Sequence, residues 1–216
     1  MTHAREDWHA WYQEYDDPGS PLSQRLAQVR GWLAAVLADA AGPVRLLSLC
    51  AGDGRDTVPV VAACEHRVDT CLVELDPDLA ERARLAAHHE GLAFDVRTAD
   101  AGAAASWADR LPVDVLLLSG VLGNVSDEDA DRTAAAAASM LSTGGTVIWT
   151  RSNRFRSAPT HGYDDPAVWL RDRFEAHGFE TETLVRPDDA AWRLGVSRLR
   201  VPSGAPLPER LFTFLR

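Results

Sequence analysis

Lysine is absent from this 216-residue chain, and basic side chains as a whole are outnumbered. The 22 basic residues are all arginine and stand against 32 acids, which gives a formal net charge of −10. This excess of negative charge excludes generalised electrostatic binding to nucleic acid or to an anionic membrane surface. The apolar run at residues 113–118 is too short to cross a bilayer. We therefore expect a soluble globular protein.

Cysteine is also scarce. Cys50, Cys64 and Cys71 show neither a CxxC pair nor metal-ligand spacing, and an odd number of thiols favours a reducing compartment. The first residues, MTHAREDWHAWYQEYDD, have neither the basic start nor the apolar core of a signal peptide. The run at residues 88–90, His-His-Glu, falls at a predicted helix end, where histidines interact with the helix dipole rather than with a metal. We predict a cytoplasmic protein without a metal site.

The charge is distributed unevenly along the chain. Residues 1–150 carry 23 acids against 11 arginines, whereas residues 151–216 carry 11 arginines against 9 acids. Two interpretations stay open: chance with solvated surfaces, or a C-terminal third that faces an anionic group on a ligand.

Apolar runs alternate with helical patterns, and glycine or proline separates them. Strands that are apolar on both faces are typical of a parallel sheet covered by helices, so the sequence predicts a doubly wound α/β fold. The predicted strands cover residues 44–50, 68–75, 92–98, 113–118, 146–150, 179–185 and 211–215. The predicted helices cover residues 20–41, 55–65, 77–90, 126–141 and 165–177. Residues 186–210 receive no assignment.

Polar and glycine residues follow three of the predicted strands. Gly52 and Gly54 follow the first strand and let the backbone approach a ligand closely. Glu74, twenty residues beyond Gly54, ends the second strand, where an acid can accept both hydroxyls of a ribose. Asp100 follows the third strand, where it could accept from an adenine amino group. Because ligands of such sheets bind at the carboxyl ends of the strands, these residues predict a pocket for an adenosine-containing cofactor.

The residues around the glycines distinguish between such cofactors. A dinucleotide site needs a third small residue, but Thr57 stands there. Asp53 and Asp56 would repel a pyrophosphate and would suit a sulfonium and an ammonium. The sequence therefore favours S-adenosylmethionine over NAD.

Five segments together resemble the successive motifs of class I S-adenosylmethionine-dependent methyltransferases. They are LLSLCAGDGRD (46–56), CLVELDP (71–77), RTADA (97–101), VDVLLLSGVLGNVSD (113–127) and LSTGGTVIWTR (141–151). The resemblance implies a Rossmann-like sheet of order 3-2-1-4-5-7-6 with an antiparallel seventh strand, for which we select residues 211–215.

The resemblance also implies the cofactor contacts. Gly52 and Gly54 would approach the methionine part, Glu74 would bind the ribose, and Asp100 with the Ala101 amide would recognise adenine. The full set of predicted contacts is Cys50, Ala51, Gly52, Asp53, Gly54, Asp56, Glu74, Leu75, Asp100, Ala101, Ser119, Gly120, Val121, Tyr15 and Arg25.

The sequence departs from the family at two positions and differs from one of its subgroups at a third. Ser48 replaces the usual acid and Cys50 replaces a usual glycine, so Asp53 or Asp56 would take over the role of the missing acid. Residues 119–124 read SGVLGN rather than the NPPY type that methylates exocyclic amines of bases, which disfavours nucleic acid as substrate.

The N-terminal segment is predicted to cover the site. We divide the chain into a helical lid at residues 1–43 and a catalytic domain at residues 44–216. Tyr15 is our candidate for a lid contact and Arg25 for a ligand of the cofactor carboxylate, while packing of Trp8, Trp11 and Tyr15 on the sheet is the alternative.

Methyl transfer from a sulfonium is an in-line displacement that needs a base only when the nucleophile carries a proton of high pKa. His161, in the loop after the fifth strand, and Tyr15 are the predicted catalytic residues. Other candidates on the substrate side are His9, Tyr12, Asn124, Tyr163, Arg151, Arg154 and Arg156, and the three arginines could bind a substrate anion or be solvated.

Three functions stay open. The first is methyl transfer to a small-molecule acceptor. The second is a protein of the same fold that senses the cofactor or uses it for chemistry other than methylation. The third is an NAD(P)-binding Rossmann oxidoreductase. The identity of the acceptor and the oligomeric state do not follow from the sequence.

Overall fold

The computed structural model describes residues 14–152 and 161–215. Among them, no helix is both long and apolar enough to cross a membrane. The predictions that concern His9, Tyr12, Trp8, Trp11, Arg154 and Arg156 lie outside the described residues.

In the part of the chain that the structure describes, seven strands form one sheet in the order β3-β2-β1-β4-β5-β7-β6. The strand β7 runs antiparallel to both of its neighbours, and the other pairs are parallel. The strands are β1 (Val44–Leu49), β2 (Val68–Glu74), β3 (Asp95–Thr98), β4 (Val113–Leu118), β5 (Leu141–Ser152), β6 (Phe179–Val185) and β7 (Trp192–Leu199). This order confirms the predicted fold class.

Within the described residues, five α-helices flank the sheet, and most of their N-termini follow the sequence signals. Asp76 accepts hydrogen bonds from the backbone N–H groups of residues 78 and 79, and Ser126 accepts one from residue 129. Ser20 and Asp165 cap two further helices in the same way, which satisfies N–H groups that the helix leaves unpaired. The helices are α1 (Pro21–Ala38), α2 (Val58–Ala62), α3 (Pro77–His89), α4 (Asp127–Met140) and α5 (Pro166–Ala176).

The last predicted strand is wrong. Residues 211–215 do not join the sheet, because β7 occupies the position between β5 and β6. The C-terminal segment instead buries Leu211 and Phe212 and forms single bridges to the loops after β3 and β4, through Arg210 and Phe214. Several bounds also differ: α2 is shorter than predicted, β3 begins later, and β5 begins five residues earlier.

The two faces of the sheet pack differently. On one face, Val29, Leu33 and Leu37 of α1 pack with apolar residues of β1, β4, β5 and β7. On the other face, α4 and α5 cover a larger cluster that contains Trp149. The 3-10 helix Glu14–Asp16 precedes α1. That residues 1–43 act as a lid stays a prediction.

Candidate functional site

A tight turn leads from β1 into α2 and has the backbone that its glycines predict. Gly52 and Gly54 have φ angles of 59° and 74°, in the left-handed region. A Cβ atom at Gly54 would also lie 3.0 Å from Cγ2 of Val58. Cys50 has a φ of 57°, which is costly for any side chain. The turn therefore keeps a glycine-like conformation at a position where this sequence has cysteine.

Glu74 is fixed where β2 ends beside this turn. Its side chain accepts hydrogen bonds from the backbone N–H of Gly52, at 2.8 Å, and of Asp76, at 2.9 Å. The residue is 9% exposed, and its burial raises the pKa of the carboxyl although these backbone bonds act in the opposite direction. Because an ionised carboxylate has about four acceptor positions, Glu74 can still accept from the hydroxyls of a ribose. Its role in holding the turn was not predicted.

Asp100 lies at the same edge of the sheet in a different environment. Its side chain accepts from the backbone N–H of Gly102, at 2.8 Å, and forms an ion pair with Arg210, also at 2.8 Å. The side chains of Asp100 and Arg210 are 45% and 47% exposed. Ala101, the neighbouring candidate, is buried. An adenine amino group would therefore meet an acid that the C-terminal segment already contacts.

Three of the predicted cofactor contacts, Asp53, Tyr15 and Arg25, come together at the turn after β1 with Arg55, which was not predicted. Arg55 pairs with Asp53 at 2.5 Å, and its guanidinium lies 4.3 Å from the centre of the Tyr15 ring. The Tyr15 hydroxyl accepts a hydrogen bond from Arg25, at 2.8 Å. Burial raises the pKa of Tyr15 above its usual value. The structure thus connects the N-terminal segment to this turn.

Asp56 is the buried acid of the turn. It is 8% exposed, and the hydroxyl of Thr57 donates to it at 3.1 Å. Burial raises the pKa of Asp56 to about 6, because the carboxylate loses most of its hydration. A carboxylate in this position would gain from a nearby cation.

The loop after β4 forms the next part of the edge. The Gly120 N–H donates to the hydroxyl of Thr150, at 2.7 Å, and the Asn124 side chain donates to the Gly120 carbonyl, at 2.7 Å. Val121 is fully buried in the larger core cluster, so any contact to a ligand there would use its backbone. Ser119 precedes this turn, whereas Leu75, beside Glu74, is 68% exposed.

His161 and Arg151 both contact Asp127, the first residue of α4. The His161 Nε2 atom lies 3.5 Å from Oδ2 of Asp127, and the imidazole stacks on Trp169 with the ring centres 5.1 Å apart. The Arg151 guanidinium contacts Oδ1 of Asp127 at 2.5 Å and donates to the Leu122 carbonyl. Arg151 is buried, so the interpretation of this residue as solvated is wrong. His161 has a carboxylate that can orient its ring.

The remaining candidates have other contacts. The Tyr163 hydroxyl donates to Asp172 of α5, at 2.8 Å. His88 and His89 lie in the last turn of α3, as predicted. No group of three or more metal-ligating side chains occurs among residues 14–152 and 161–215.

A small cleft opens between the carboxyl ends of β4 and β5 and the start of β7. Its volume is about 30 Å³. Trp192 was not predicted as a site residue, because it falls in residues 186–210, for which the sequence predicts no secondary structure. The lining residues are Arg25, Gly120, Gly123, Asn124, Thr150, Arg151, Ser152 and Trp192.

Comparisons with known proteins agree with this geometry. Residues 46–145 match the model of a family described as a methyltransferase domain. No curated protein matches the chain in sequence. The family match over residues 46–145 and the strand order both support the resemblance to the class I S-adenosylmethionine-dependent methyltransferases.

Solved structures share the fold at low identity. An O-methyltransferase family protein from Burkholderia thailandensis matches with a TM-score of 0.65 and 16% identity, over 92% of this chain and 62% of that one. Mitomycin 7-O-methyltransferase matches with a TM-score of 0.56 and 19% identity, over 88% of this chain and 60% of that one. The 4+2 cyclase SpnF matches with a TM-score of 0.58 and 18% identity, over 79% and 81%. The chain thus spans less than two thirds of the two methyltransferases.

Proposed function

We propose that this protein binds S-adenosylmethionine at the carboxyl ends of β1–β3 and transfers its methyl group in line to a small-molecule acceptor. The observation that carries this proposal is the position of Glu74, beside the glycine turn and held by two backbone N–H groups. A carboxylate fixed in this way binds a ribose without losing further conformational entropy. When bound, the cofactor supplies an electrophilic methyl group on a sulfonium.

The charges at the β1 turn suit the amino-acid end of that cofactor. Asp56 is a buried carboxylate that would gain from an ammonium, and Arg25 would face a carboxylate. Tyr15 belongs to the same cluster, because it accepts a hydrogen bond from Arg25 and because Arg25 and Asp56 both act on the pKa of its hydroxyl. Asp56 would therefore replace the acid that is missing at Ser48.

The chain's own contribution to catalysis would be mainly orientation. Holding a nucleophile in line with the methyl group supplies a large share of the acceleration of such displacements. For an acceptor with a proton of high pKa, His161 would take that proton at Nδ1, directly or through one water, and Asp127, which faces Nε2, would stabilise the imidazolium. An acceptor without such a proton would need only orientation.

The direct test is to incubate the protein with methyl-labelled S-adenosylmethionine and a fractionated small-molecule extract. We expect label to move into a small molecule while S-adenosylhomocysteine accumulates in equal amount. The variant Glu74→Gln, incubated in parallel, should produce little of either. Absence of transfer from a cofactor that binds would overturn methyl transfer while leaving cofactor binding intact.

Non-methylating chemistry is the second candidate, and the departures at Ser48 and Cys50 are the observations that favour it. The fold is compatible with such chemistry, since one structural neighbour is named a cyclase. Attack of a nucleophile on Cγ of the aminobutyryl chain would break the Cγ–S bond, transfer that chain to the nucleophile and release methylthioadenosine instead of S-adenosylhomocysteine. Chromatography of the same incubations distinguishes the two products, and a pure sensor would produce neither.

A further inference from the structure

The indole of Trp192 is a buried donor that lacks an acceptor. The residue is 7% exposed and lines the cleft between β4, β5 and β7. Among the residues that the structure describes, none accepts a hydrogen bond from its Nε1–H group. A buried donor without a partner costs about 1–3 kcal/mol, so such groups are normally satisfied by protein, water or ligand.

The chemistry of the cleft restricts what could satisfy this donor. An indole N–H donates and never accepts, so its partner must be an oxygen or another acceptor atom. Arg25, on another wall, adds a positively charged donor. A volume of about 30 Å³ admits one or two waters or a single small functional group, and excludes a whole ring system.

We propose that this cleft is a carboxylate subsite, in which the Trp192 Nε1–H and the Arg25 guanidinium donate to the oxygens of one carboxylate. The position fits a bound reactant, because Gly120 and Thr150 in the wall belong to the edge where the cofactor and acceptor would meet. The assignment of the carboxylate to a reactant rests on the proposed function, whereas the subsite itself rests on the cleft alone.

Two reactants could supply the carboxylate: the methionine part of the cofactor, or an acceptor that is itself a carboxylic acid. The chemistry recognised is the same in both cases. S-adenosylhomocysteine carries the carboxylate of the methionine part, whereas methylthioadenosine lacks it. Comparing the binding of these two compounds therefore shows whether the cofactor or the acceptor supplies the carboxylate.

The test is a heteronuclear NMR titration of the full chain with ¹⁵N-labelled tryptophan. The chain has 7 tryptophans, and the variant Trp192→Phe identifies the Trp192 indole signal by its loss. Trp32→Phe is the matched control, because Trp32 lies on α1 outside the cleft. Sodium acetate is the probe, and sodium chloride at equal ionic strength controls for salt.

We expect acetate to shift the Trp192 indole signal saturably, by far more than the other indole signals, and chloride to leave it in place. If S-adenosylhomocysteine shifts the signal and methylthioadenosine does not, the cofactor supplies the carboxylate. If acetate still shifts the signal when S-adenosylhomocysteine is saturating, the acceptor supplies it.

A signal that no carboxylate shifts would overturn the subsite and assign the donor to a buried water. The outcome is separable from the proposed function. Failure of S-adenosylhomocysteine to bind, with acetate still shifting the Trp192 signal, would contradict the cofactor assignment and leave the subsite intact.

Discussion

Glu74 and Asp100 stand at the ends of neighbouring strands and were predicted to share one cofactor, yet their surroundings differ. Glu74 is buried and bonded to two backbone N–H groups of adjacent loops. Asp100 is about half exposed and pairs with an arginine from the far end of the chain. A fixed, desolvated carboxylate binds a hydroxyl more strongly than an exposed one that must first leave an ion pair. The two acids occupy equivalent positions in the sequence, but we expect Glu74 to contribute more to cofactor binding than Asp100.

The largest effect on cofactor affinity is expected at Glu74. Charge-assisted hydrogen bonds contribute about 1.5–3 kcal/mol each, and about 1.4 kcal/mol corresponds to one decade in affinity. Glu74→Gln should therefore weaken S-adenosylhomocysteine binding at least tenfold in calorimetric titration. The glutamine oxygen can keep one backbone bond, so the variant should still fold, as judged by circular dichroism.

The control for Glu74→Gln is Asp78→Ala, which removes an exposed acid from the first turn of α3. We expect nearly unchanged affinity. Wild-type affinity for Glu74→Gln would mean that the ribose lies elsewhere.

Asp56 is a second buried acid that can be compared with Glu74. Burial raises the pKa of its carboxyl to about 6. The unfolded value is near 3.9. Between these values the folded state binds more protons than the unfolded state, so this group lowers stability as pH rises from about 4 to about 6. Each pKa unit corresponds to about 1.4 kcal/mol. Asp56→Asn should therefore melt several degrees higher than wild type at pH 8.

The two melting temperatures should converge as the pH falls to about 3 and lower, below both pKa values, where Asp56 is largely protonated in both states. Differential scanning calorimetry across this range is the measurement. A constant difference between variant and wild type at every pH would show that Asp56 does not titrate as described. Weaker cofactor binding by the same variant would support its role opposite the ammonium.

Asp100 and Arg210 should matter less. Exposed ion pairs contribute about 0.2–1 kcal/mol, so Asp100→Asn should weaken S-adenosylhomocysteine binding by less than about fivefold. Arg210→Ala should change it by no more than about twofold. The two variants are compared with Glu74→Gln in one calorimetric series. If Asp100→Asn weakened S-adenosylhomocysteine binding as much as Glu74→Gln does, the two acids would contribute equally to cofactor binding and the comparison would be wrong.

The smallest effect is expected at Cys50. Its left-handed backbone costs about 1–2 kcal/mol, which glycine would relieve. The greater freedom of glycine in the unfolded chain offsets about 0.4–1 kcal/mol of this gain. Cys50→Gly should therefore raise the free energy of unfolding by about 0.5–1 kcal/mol in urea titration. The control is Cys64→Gly, at a residue without positive φ, which should lower the free energy of unfolding. If both substitutions lowered the free energy of unfolding, the backbone at Cys50 would not be strained.

The regular half of the fold was predictable because its signals are local. The strands β1, β2 and β4 coincide with short apolar runs, and capping residues such as Asp76 and Ser126 lie directly before their helices. The strand β7 carries no such signal. Gly195 lies in its interior, where glycine usually weakens a strand, but a Cβ atom there would lie 2.1 Å from the Trp149 ring. Packing across the sheet, which the sequence does not display, decides that residue.

The site was predictable to the same extent. Strand ends place Gly52, Glu74 and Asp100 at one edge, and this follows from the alternation of strands and helices. The contact of Arg210 with Asp100 joins residues far apart in sequence, and the orphan donor of Trp192 exists only once α1, β5 and β7 are packed. Neither the Arg210–Asp100 ion pair nor the environment of the Trp192 indole can be predicted from local sequence patterns.

The most direct test of the account is the choice of cofactor. We would titrate the unmodified protein with S-adenosylhomocysteine and, separately, with NADH, and follow heat by calorimetry. We predict saturable binding of S-adenosylhomocysteine in the micromolar range and no heat of binding with NADH. Binding of NADH without binding of S-adenosylhomocysteine would contradict it and would select a dinucleotide at the β1 turn.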